Sequence, residues 1–79
     1  MDLNSNATRR VLTAWGIEVK KRLIETNRKQ TDLVKELSSQ GFDVNKIRIS
    51  NWLYGIGAST RTDEIKAINK LLGIEIINY

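Results

Sequence analysis

Apolar residues recur along this chain at intervals of three and four, the spacing of helices that bury one face. Leu12, Trp15, Val19 and Leu23 form the first stripe, with Ile17 and Ile24 widening it on one flank. This predicts a main helix over roughly Thr13 to Asn27. Thr13 is a suitable N-cap, because a hydroxyl there accepts a free backbone N–H. Asn27 stands where a left-handed terminator belongs. Gly16 costs a helix about 0.5–1 kcal/mol relative to Ala, so its expected use is to let a neighbouring helix come close. Leu33, Val34 and Leu37 mark a second helix over about Gln30 to Ser39, with Lys29 or Thr31 at its start and Gly41 as its stop. Ile49, Trp52 and Leu53 mark a third that runs to Tyr54 and ends at Gly55. Asp43 or Asn45 can cap it. Asn45 is preferred, since it leaves Val44 outside as a buried anchor and Lys46 in the exposed first turn. Ile65, Ile68, Leu71 and Leu72 mark a fourth, capped by Thr62, with Asp63 and Glu64 suiting the helix dipole and Gly73 closing it.

Residues 30–55 therefore outline two short helices joined at a break, as in a helix-turn-helix. Phe42 and Val44, the apolar residues of the connection, are expected to plug the core beneath it. The third helix turns Ile49, Trp52 and Leu53 inward. Lys46, Ile47, Ser50 and Asn51 lie on or beside its opposite face, with Arg48 on the flank. Asn45, Lys46, Arg48, Ser50 and Asn51 carry groups that bond phosphates and base edges. Ile47 is the odd member. It is either core, if the long turn shifts the helix, or an apolar contact for a thymine methyl.

The ends differ from the middle. Residues 1–12 form a polar N-terminal arm or short helix, and its Arg9 and Arg10 are either simply solvated or touch phosphate or the minor groove. Lys20, Lys21 and Arg22 read first as a solvated face and second as phosphate contacts. Residues 74–79 form an apolar tail. Ile74, Ile76, Ile77 and Tyr79 are expected either to complete the core or to make a dimer contact.

Composition narrows the function classes. With 79 residues, the chain suits a single domain, read here as all-α and built from four or five short helices. Thirteen Lys and Arg against nine Asp and Glu give a net charge of +4, which favours polyanionic partners, nucleic acid first. There is no Cys and no His, so zinc, disulfides and the commonest general base are not expected. Asp63 and Glu64 are the only adjacent carboxylates, and their place at a helix start explains them. We expect no enzyme activity, no cofactor, no metal and no small-molecule substrate. No stretch suggests a membrane span or signal peptide, so the expectation is cytoplasmic.

Three groups of residues, in this order and spacing, have a known parallel. Gln30-Thr31-x-Leu33-Val34 opens the second helix, Ile49-Ser50-Asn51-Trp52-Leu53-x-Gly55 closes the third, and Leu71-Leu72-Gly73-Ile74 closes the fourth. With the preceding WGIEVKKRLI, they make residues 15–74, roughly three quarters of the chain, resemble the lambda-repressor-like helix-turn-helix family (Cro and repressor type, also called XRE), in particular its small phage-type members. The resemblance implies a compact four- to five-helix DNA-binding domain with its third helix in the major groove. It implies that Gln30 reaches a phosphate and, in some members, supports a base-reading side chain. Lys46, Ile47 and Asn51 match base-reading positions. Asn45 matches a cap that also touches phosphate, and Arg61 lies near the loop that clamps the backbone. The connection SSQGFDVN is longer than the usual turn of about three to four residues, which leaves open whether Ile47 or Arg48 faces the groove.

The expected function is therefore a sequence-specific transcriptional regulator of phage or mobile-element type, with double-stranded DNA as partner. A homodimer on a two-fold operator would space its half-sites about 34 Å apart. The alternative is a protein-interaction module on the same scaffold, in which Trp52 and the tail isoleucines matter more than the polar face.

Overall fold

A computed structural model describes residues 11–75. The basic pair Arg9-Arg10 and the tail residues Ile76, Ile77 and Tyr79 lie outside the described residues. Within them the chain is an all-α bundle: α1 (Ala14–Glu25), α2 (Gln30–Ser39), α3 (Lys46–Leu53), a 3₁₀ turn at Ala58–Thr60 and α4 (Thr62–Leu72), with no strand.

The local chemistry of the sequence sets the helix ends. Thr13 caps α1 by accepting the Gly16 N–H at 2.9 Å, and Asn45 caps α3 by accepting the Arg48 N–H at 2.8 Å. α2 starts from Lys29, whose backbone N–H donates to the Asp32 carboxylate at 2.7 Å. α1 closes on Asn27, at φ 58°, with the Arg28 N–H reaching back to the Leu23 carbonyl at 2.8 Å and the Asn27 N–H to Ile24 at 3.1 Å. That is a Schellman closure made by a non-glycine residue. Gly55 closes α3 in the same way, through the Ile56 N–H and the Asn51 carbonyl at 2.9 Å. One cap differs from expectation. Thr62 is the first residue of α4 and Arg61 precedes it as the N-cap, with no side-chain cap bond.

Leu33, Leu37, Ile49, Leu53, Ile65, Ile68, Trp15 and Val19 are fully buried, with Leu23, Trp52, Ala58, Leu72 and Ile74 close behind. Among the described residues no polar or charged residue is buried. Ile74 thus ends the core, while Leu12, Val34, Phe42, Val44 and Leu71 cover its edge. Two other isoleucines depart from expectation. Ile17 is 54% exposed and Ile24 81% exposed. At about 100° per residue, Trp15, Val19 and Leu23 point one way and positions 17 and 24 point nearly opposite. They never flanked the stripe; they share the outer face.

Two long-range links fix α1 to the rest. The Thr13 N–H and hydroxyl both donate to the Leu53 carbonyl, each at 3.1 Å, so one residue caps the start of α1 and satisfies the end of α3. A Cβ placed on Gly16 would stand 2.1 Å from that same carbonyl oxygen. Here glycine is a matter of space, as two backbones touch. The Trp15 indole N–H, wholly inside, donates to the Asn69 side-chain carbonyl on α4. α3 packs against both α1 and α2, and this holds its inner triad rigidly in place.

No helix among the described residues is long and apolar enough to cross a membrane.

Candidate nucleic-acid interface

α3 buries Ile49, Trp52 and Leu53. The helical turn then points Ile47 almost diametrically away from them, with Asn51 and Ser50 beside it. Ile47 is 72% exposed. Of the two readings left open for this residue, burial in the core is excluded. Asn51 and Ser50 are half-buried, while Asn45, Lys46 and Arg48 are exposed. The side chains expected to meet DNA thus share one surface of the shortest helix, at a register set by the Asn45 cap.

A groove runs along each flank of α3. The first has a volume of about 350 Å³ and joins Lys46 to Gln30 and Thr31 at the start of α2, and to Lys20 and Ile24 on α1. Lys29 and Arg28 from the α1–α2 link complete its rim, and among the described residues no carboxylate lines it. The second, of about 250 Å³, joins Arg48 and Asn51 to Ile56, Thr60 and Arg61 of the loop after α3, over Trp52. Gln30 and Lys46 are therefore brought together on one side. Arg48, Asn51 and Arg61 are brought together on the other. Ser50 and Ile47 lie on the ridge between.

The cations differ in how they are held. Arg48 folds back over the turn: its guanidinium donates to the Asp43 carbonyl at 2.9 Å and lies 3.6 Å from the Asp43 carboxylate. Asp43, the cap candidate that lost to Asn45, thus orients the arginine. Arg61 lies 3.8 Å from Glu64. The Arg48–Asp43 pair is solvent-exposed, so it contributes at most about 1 kcal/mol and yields readily to a phosphate, whereas Glu64 beside Arg61 is largely covered. Arg22 is engaged otherwise. It bonds Glu18 at 2.9 Å, which holds the Glu18 carboxyl below its ordinary range and raises the Arg22 guanidinium. The run Lys20-Lys21-Arg22 therefore does not act as a unit. Lys20 turns to the first groove, Lys21 to solvent and Arg22 to Glu18.

Sequence reasoning passed over several of these groove residues. Lys20 was visible only as one of a basic run, and Lys29 and Thr31 only at the opening of the second helix. Arg28, Thr60 and Ile56 were not singled out, because their place depends on how the links fold back beside α3. No protein-family model, curated protein or solved structure matches this chain.

Proposed function

We propose that this chain is a sequence-specific DNA-binding transcriptional regulator, working in the cytoplasm as a small helix-turn-helix of the lambda-repressor-like kind, with α3 in the major groove. One observation carries the reading. A ridge with no charged residue at its centre, formed by the exposed Ile47 and the half-buried Ser50 and Asn51, runs between two grooves that both carry cations. A major groove presents that pattern in reverse: base edges along its floor and a phosphate strand on each side. Lys20, Lys29 and Arg28 suit one strand, with Gln30 and Thr31 bonding its oxygens. Arg48, Arg61 and Thr60 suit the other. Asn51 has the donor and acceptor to bond adenine bidentately, and Lys46 is the candidate for guanine. A pair of copies would read a two-fold site.

Selection of bound fragments from a random duplex library at two salt concentrations tests this. We expect an enriched motif, and affinity that falls with salt at a log–log slope of about 0.9 per phosphate contacted. Asn51→Ala should weaken binding to the enriched motif by about 1–3 kcal/mol and leave non-specific binding intact. No enrichment, or salt-independent binding, would refute the reading.

A second reading has its own observation. Ile17 and Ile24 form an exposed apolar pair on the outer face of α1, beside Lys20 and Lys21. Such a pair suits a protein partner. Binding that is insensitive to Asn51→Ala and lost on Ile24→Ser would favour it.

A further inference from the structure

We infer that Ile47 reads the 5-methyl group of thymine, so that the preferred DNA carries a thymine next to the base contacted by Asn51. The inference rests on the proposed DNA-binding reading and specifies its target. The buried triad of α3 and the Asn45 cap fix the register of the helix, and that register leaves Ile47 72% exposed at the crest of the outer face. Four other large apolar residues are exposed among the described residues: Val11, Ile17, Ile24 and Ile56. Ile56 and Ile24 each line one of the flanking grooves, Ile17 lies on the outer face of α1, and Val11 precedes α1. Ile47 alone stands on the ridge between the grooves.

An aliphatic side chain has no hydrogen bond to offer a base edge. In the major groove it has one complementary feature, the thymine methyl, which no other natural unmodified base presents. A polar residue at this crest would be better hydrated in the free protein. Isoleucine there gains only when it meets another apolar group and both leave water. Asn51 stands one turn further along the same face, and its amide suits adenine. A crest that pairs a methyl contact with an adenine contact selects steps rich in A·T pairs.

The test replaces each thymine of the selected duplex in turn by deoxyuridine, which removes the methyl and keeps every hydrogen-bonding group. At one or two positions, wild-type affinity should fall about three- to fivefold, the loss expected for a single methyl-sized apolar contact. In Ile47→Ala the sensitivity at those positions should vanish, and in Ile47→Val it should persist in part. Because the side chain is exposed, the thermal midpoints of both variants should match wild type, and that is measured alongside. If no thymine position responds, or if the response survives in Ile47→Ala, the inference is overturned while DNA binding stands. If the library yields no enriched duplex at all, the DNA-binding reading itself falls and takes this inference with it.

Discussion

Gly16 shows how much a single missing atom can carry. Alanine at this position would improve the helix by about 1 kcal/mol in isolation. Its Cβ, however, would meet the Leu53 carbonyl oxygen at 2.1 Å, and that oxygen is backbone at the end of α3. α1 and α3 would have to separate, breaking the two bonds from Thr13. Overpacking of this kind costs about 1–3 kcal/mol or more. Gly16→Ala should therefore lower stability by about 1–2 kcal/mol net, from the upper part of that range, read as a lower denaturant midpoint with an unchanged slope. A raised midpoint would mean that α1 and α3 are less closely joined than described. The glycine's purpose was legible in the sequence, as an unexplained cost inside a helix, though its partner was not. Nor was the Trp15–Asn69 bond, because nothing in a chain's local pattern links positions so far apart. Ile17 and Ile24 were misread for a simpler reason. Being apolar was allowed to outweigh their angular position, which points them away from the stripe.

At the level of elements, α3 is short, at eight residues, and depends on its ends. A helix of this length is not stable alone and is held by packing and caps. Asn45→Ala removes the acceptor for the Arg48 N–H and should cost about 0.5–2 kcal/mol, while Asn45→Gly should cost only a few tenths. Thermal melts of the two variants check the ordering. Equal melting of wild type and Asn45→Ala would mean that Asp43 takes over as cap, moving the helix start upstream. The connection at residues 40–45 is long, and it left the α3 register open between Ile47 and Arg48 until three local features of the structure fixed it. Asn45 is a strong cap, Val44 and Phe42 pack against the core, and the inner triad fits only one face. What the pattern did not convey was Arg48, whose reach back to Asp43 follows from the path of the turn. The start of α4 was misplaced by one residue, since Thr62 is a good cap by type but Arg61 holds the capping backbone position.

Across the whole molecule, the bundle divides its labour. α1, α2 and the 3₁₀ turn pack against one side of α3 and leave its other side open between two cation-bearing grooves. The helices and most of the core were legible because each is a local periodic signal. The grooves were only partly so. Gln30, Lys46, Arg48, Asn51 and Arg61 could be named from motif and spacing. Lys20, Arg28, Lys29, Thr31 and Thr60 join them only because the links bring the start of α2 and the loop after α3 alongside the same helix. The basic residues thus flank the ridge on both sides, although the net charge of +4 is modest.

The most direct measurement of the central claim is a titration of the nitrogen-labelled protein with the selected duplex, followed by backbone and side-chain amide shifts. The account predicts that the largest changes fall on Asn45, Lys46, Ile47, Asn51 and the amides of Gln30 and Arg61, on both flanks of α3. Changes centred instead on Ile17 and Ile24, or no changes at all, would contradict it.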